Sequence, residues 1–110
     1  MPTVNFFYQS NAHKAQLNEL VDEAKSFISS ELTCGEKVLD PSEISIRLIE
    51  VFGKGMIGKL EAEVTAHAFD ERVQKQDEIC LRIQKFLMDH IPDADVRVWL
   101  LLPQLGHSWN

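Results

Sequence analysis

The sequence predicts an α+β (α/β) fold in which two tandem β-α-β units form one four-stranded sheet with two helices on one face. Two long stretches repeat apolar residues at helical spacing, and four shorter stretches alternate them or concentrate β-branched and aromatic residues. Their order is strand, helix, strand, turn, strand, helix, strand. A faint duplication supports the division: Ile46-Arg47-Leu48 matches Val96-Arg97-Val98, each early in the strand after a helix and each leading to a glycine-bearing segment. The reading is one domain over residues 1–110, with pseudo-repeat units of about 2–58 and 59–110.

Residues 2–9 set Pro2, Val4, Phe6 and Tyr8 against Thr3, Asn5, Phe7 and Gln9, the alternation of a strand. Ser10 and Asn11 end it and cap the next element. From Ala12 to about Leu32, Leu17, Leu20, Val21, Ala24, Phe27, Ile28 and Leu32 mark one buried helical face. Gly35 and Asp40-Pro41 interrupt the pattern, and Ile44 to Phe52 reads as a second strand. Gly53-Lys54-Gly55-Met56-Ile57-Gly58 is a turn. Leu60, Ala62, Val64 and Ala66 give a third strand ending at His67. Asp70 is positioned to cap a second helix that carries Val73, Ile79, Cys80, Ile83, Phe86, Leu87 and Ile91 inward, and Pro92-Asp93 ends it. Val96 to Leu102 is the last strand. Strands joined through a helix are expected to run parallel, with right-handed crossovers.

Formal charge is −6 and Lys and Arg do not cluster, which argues against a nucleic-acid or anionic-membrane surface. No apolar run is long enough to span a bilayer and no signal peptide is read, so the expected compartment is the cytoplasm. Cys34 and Cys80 lack metal or redox spacing and are expected to be reduced thiols, Cys80 in a helix core. No cofactor and no metal are expected.

Pro2 is the candidate base, although proline at position 2 by itself usually has no chemical role. Methionine removal before this small residue would leave a free secondary amine at the head of an apolar strand, and an α-amino group titrates near pH 8, within reach of neutrality after modest desolvation or beside a cation. Such a group is a general base.

Pro2 at a strand head, Ser45-Ile46-Arg47-Leu48 and the following Gly53-Lys54-Gly55-Met56-Ile57-Gly58 resemble the tautomerase superfamily, in particular 4-oxalocrotonate tautomerase. Asp95-Val96-Arg97-Val98-Trp99 and Leu105-Gly106-His107-Ser108-Trp109 repeat the likeness. Two such units in one chain are similar to 5-carboxymethyl-2-hydroxymuconate isomerase and macrophage migration inhibitory factor. The resemblance covers nearly the whole chain. It implies a cofactor-free tautomerase or isomerase that moves a proton in a small enol or unsaturated 2-oxo-acid, assembled as a homotrimer. It implies Pro2 as base, Arg47 as the strand arginine that binds or polarises the substrate, and Ile57 in the place of an aromatic wall residue, with Trp109 available to supply the missing ring. A guanidinium near the amine would favour its neutral form.

The family's further arginine after the first strand has no counterpart, since Ser10, Asn11 and Ala12 stand there. That departure favours a monocarboxylate or a neutral enol over a dicarboxylate. It also supports the alternative, a non-catalytic oligomeric binding or scaffold protein of the same fold. Arg97 matches Arg47 by repeat but lacks a proline at the head of its unit, where Leu60 stands, and reads as structural or interfacial. His67 reads as a solvated strand end, and Glu61 and Glu63 as a wet surface. His107 and Trp109 either line a pocket or seal a subunit contact.

Overall fold

The computed structural model describes residues 2–35 and 38–104. Its elements are β1 (Thr3–Tyr8), α1 (Asn11–Leu32), a 3-10 turn (Pro41–Glu43), β2 (Ser45–Glu50), β3 (Leu60–Thr65), α2 (Asp70–Gln74), α3 (Gln76–His90) and β4 (Val96–Leu101). The sheet order is β2-β1-β3-β4. β1 runs parallel to β2, β3 runs parallel to β4, and the central β1–β3 pair is antiparallel.

Strand alternation decides which side is covered. Val4, Phe6 and Tyr8 of β1, Leu60, Ala62 and Val64 of β3, and Val96 and Leu100 of β4 are buried. They meet Leu17, Leu20, Ala24, Ile28 and Leu32 of α1 and Ile79, Ile83 and Leu87 of α3 in one cluster. Burying each large aliphatic or aromatic side chain contributes about 1.5–3 kcal/mol. Both long helices therefore lie on one face. The opposite face carries cross-strand rows of mixed character, Arg47–Asn5–Glu63–Trp99 and Ile49–Phe7–Glu61–Arg97.

The start of α1 follows its sequence signal: Ser10 is the N-cap and its Oγ accepts the His13 N–H at 3.1 Å. The start of α2 does not. Phe69 occupies the cap position without a side-chain bond, and Asp70 is instead the first helical residue, where with Glu71 it complements the positive end of the helix. The expected second helix is also broken, at Lys75 (φ −105°, ψ 13°). Across the break Arg72 lies inward at 4% exposure while Val73, expected inside, is 50% exposed. Arg72 stands seven residues before Ile79, close to two helical turns, so it inherits the core-facing phase.

Cys80 lies beside the core rather than in it, half-buried against the outer edge of β4. There it is the middle member of a polar ladder. Gln84 Nε2 donates to the Val96 carbonyl at 2.9 Å and Gln76 Nε2 donates to the Leu100 carbonyl at 2.8 Å, with the Cys80 thiol between them near the Leu100 backbone. Four helical residues rise about 6 Å and two strand residues about 6.7 Å, so side chains four apart on α3 keep step with alternate residues of β4.

Candidate active site

Pro2 is buried at the head of β1, a central strand, and its carbonyl accepts the Ser45 N–H at 3.1 Å. Proline is tolerated as the first residue of a strand because its missing N–H falls outside the ladder. Continuing the registers Thr3↔Ser45 and Thr3↔Thr65 sets Pro2 between Ile44 and Ala66, both buried. The residue expected to act as base thus stands in an apolar seam.

Arg47 is exposed on β2 and lies opposite Asn5, on the face without helices. Pro2 shares the alternation of Val4 and belongs to the covered side. One chain therefore does not bring this guanidinium to its own Pro2, because the two sit on opposite faces and are offset along the strand. Ile57, 59% exposed, sits in the loop before β3, its N–H donating to Glu61 Oε2 at 2.8 Å. That loop meets the Tyr8 end of β1, about 20 Å from Pro2 for a strand of this length. Trp109 and His107 lie outside the described residues.

Ile57 contributes with Phe7, Trp99 and Leu101 to an apolar recess of about 430 Å³ on the helix-free face, rimmed by Glu61 and Glu63. Trp99 supplies an aromatic ring to this recess. Its signal was available, since Trp99 alternates in phase with Arg97 on β4. Glu61 and Glu63 are half-buried and bonded, not a wet surface: Asn5 Nδ2 donates to Glu63 Oε1 at 3.4 Å, while Asn5 Oδ1 is buried with no partner among the described residues. Arg97 lies 3.6 Å from Asp95, an exposed pair worth little to stability. His67 is exposed, and its ring meets Phe69 edge-on at 4.7 Å. Among the described residues, no group of three or more His, Cys, Asp or Glu is arranged to hold a metal ion. No helix among them is long and apolar enough to cross a membrane.

Sequence reading missed Arg72. Its Nε donates to the Leu32 carbonyl at 2.9 Å and its Nη1 to the His67 carbonyl at 3.0 Å, and its guanidinium carbon lies 4.8 Å from the centre of the Phe69 ring. Burial holds its pKa below the usual arginine value, with the neighbouring Cys34 acting in the opposite direction. α1 has no basic residue in its last turn, and Arg72 supplies that cation from 40 positions away along the chain.

No protein-family model and no curated protein matches the chain. Solved structures do. A protein of unknown function from Vibrio cholerae superposes with a TM-score of 0.67 at 19% identity, over 99% of this chain and 83% of that one. A macrophage migration inhibitory factor-like protein from Entamoeba histolytica gives 0.66 at 14% identity, over 97% and 95%. Native fused 4-OT gives 0.60 at 15% identity, over 96% and 91%. At these identities the similarity is one of fold, shared with the macrophage migration inhibitory factor-like protein and with fused 4-OT.

Proposed function

We propose that this chain, whose fold is that of the tautomerase superfamily, is a cofactor-free tautomerase or isomerase acting on a small enol or unsaturated 2-oxo-acid. The observation that carries the reading is Pro2, buried at the head of a central strand. With Met1 removed, its nitrogen lone pair takes a proton from the enol oxygen or an acidic carbon of the substrate. The electron pair of the broken bond shifts along the conjugated system, and the resulting ammonium returns the proton at another carbon. No electron leaves the substrate, so the reaction needs no redox partner.

A lone chain is an incomplete site on this reading. Arg47 lies on the other face and the Ile57 loop at the other end of β1, so the cation and apolar wall that meet Pro2 come from neighbouring copies. A homotrimer supplies them. A symmetric trimer of fused 4-OT shares the fold, with a TM-score of 0.59, and the helix-free face here exposes Trp99 at 42% and Leu101 at 48%.

The test is turnover of a panel of enols and 2-oxo-acids, followed by ultraviolet absorbance, with processed chain, Met1-retaining chain and Pro2→Ala compared. Both altered proteins should lose roughly 10² to 10⁴ in rate, the usual worth of a positioned general base. Equal turnover by all three would remove Pro2 from the chemistry. A folded, processed protein that turns over nothing would favour a non-catalytic oligomeric binding protein, a reading to which Ser10, Asn11 and Ala12 in place of a second arginine already lend weight.

A further inference from the structure

We infer that Arg72 is a positioning residue for the Pro2 amine: its buried charge keeps the amine neutral at physiological pH from a site outside the substrate pocket. The inference rests on Pro2 having a free amine, as the proposed reaction requires.

Arg72, 4% exposed, is the only permanently charged side chain among the buried described residues. Among the described residues no carboxylate lies within 4 Å of it to cancel the charge; its partners are two backbone carbonyls and an aromatic ring. It stands at the right end of the sheet. The β1–β3 register ends at Thr3↔Thr65; extended by one residue it would set Pro2 beside Ala66, and the next residue, His67, is the one whose carbonyl receives Arg72 Nη1. One strand spacing, one residue step and one hydrogen bond together put the guanidinium within about 11 Å of the Pro2 nitrogen. The other contact deepens the effect. Leu32 is the last residue of α1, and the negative end of this helix points toward the strand head, where alone it would stabilise an ammonium. Arg72 offsets that end and leaves the cationic amine disfavoured.

Other titratable groups on the neighbouring elements are wetter or already engaged. His67 at the end of β3, Asp40 and Glu43 before β2, and Asp70 of α2 are exposed, and Glu71 is half-buried and paired with Lys75. Glu31 near the end of α1 is paired with Arg82, and Cys34 is a buried thiol. Water screens exposed charges far more than a buried guanidinium.

The experiment is a ¹⁵N NMR titration of the Pro2 nitrogen in processed wild-type chain, Arg72→Gln, Arg72→Met and Arg72→Lys, with circular dichroism to confirm the fold. Gln keeps a donor for a carbonyl and Met keeps the apolar stem, and both remove the charge. In each charge-free variant that folds, the amine pKa should rise by about one unit, a roughly tenfold smaller neutral fraction near pH 6. Arg72→Lys should titrate with wild type. A charge-free folded variant whose amine titrates with wild type, or a Lys variant shifted as far as Gln, overturns the inference. Because the readout is titration and not turnover, it stands apart from the Pro2→Ala comparison: loss of the catalytic reading leaves it measurable, and loss of the coupling leaves that reading intact.

Discussion

Arg47 and Asn5 face each other across the parallel β1–β2 register, on the side of the sheet that no helix covers. Pro2, three residues before Asn5, turns to the other side. On the proposed function, a site that uses both Pro2 and Arg47 draws them from different chains.

Complementation tests this directly. Pro2→Ala and Arg47→Ala chains should each be inactive as pure assemblies, Arg47→Ala losing roughly 2 to 4 kcal/mol of transition-state stabilisation with the trimer intact. Refolded together, they should regain activity, because some sites then pair an intact Pro2 with an intact Arg47 from its neighbour. If both residues acted within one chain, every mixed site would lack one of them and the mixture would stay inactive.

Assembly is a separate expectation. Light scattering at micromolar concentration should give the mass of three chains, and Trp99→Glu should lower it, because a charge would replace an apolar surface on the helix-free face. A monomeric wild-type mass would remove the source of the second half of the site.

The Cys80 thiol gives a pH prediction. Burial is the largest influence on it, and its pKa is raised above the ordinary 9.0. The folded protein then favours the protonated thiol more than the unfolded chain does, so this contribution to stability is complete below about pH 9 and fades as pH rises through the folded value. Alkylation of Cys80 by iodoacetamide, followed by peptide mass, should reach half its limiting rate above pH 9. A midpoint typical of a free thiol would mean the sulfur is solvated.

Gly58 has φ +83°, and a Cβ there would meet the Asp95 carbonyl oxygen at 3.0 Å. Gly58→Ala should therefore destabilise the chain by about 1 to 2 kcal/mol, read as a lower urea midpoint. A midpoint equal to wild type would show that this turn relaxes freely.

What the sequence made legible was the part of the fold set by periodic burial. Leu17 to Leu32 and Ile79 to Leu87 repeat at helical spacing because those faces meet the sheet, and alternation in β1 and β3 reports which sides are covered. The break at Lys75 was not legible, because no proline or glycine announces it. Arg72 keeps the core-facing phase and was missed because a search for an apolar face passes over an arginine even when its charge is met by carbonyls. Ser10 could be read as a cap because its hydroxyl does the capping, whereas Asp70 has the right side chain one position too late. The candidate site was legible one residue at a time. Its division between two faces and two ends of β1 was not, because pairing register is a property of the folded sheet.

The ladder of Gln76, Cys80 and Gln84 on α3 makes the two margins of the sheet unequal. Along β4 the outward carbonyls of Val96 and Leu100 are already occupied, so an incoming strand would have to displace side-chain bonds before forming its own. Along β2 no such guard exists among the described residues, and Ile46, Leu48 and Glu50 turn their backbone groups away from β1. Addition of a further strand is thus hindered at the β4 margin and less hindered at β2, which makes growth of the sheet by another polypeptide directional.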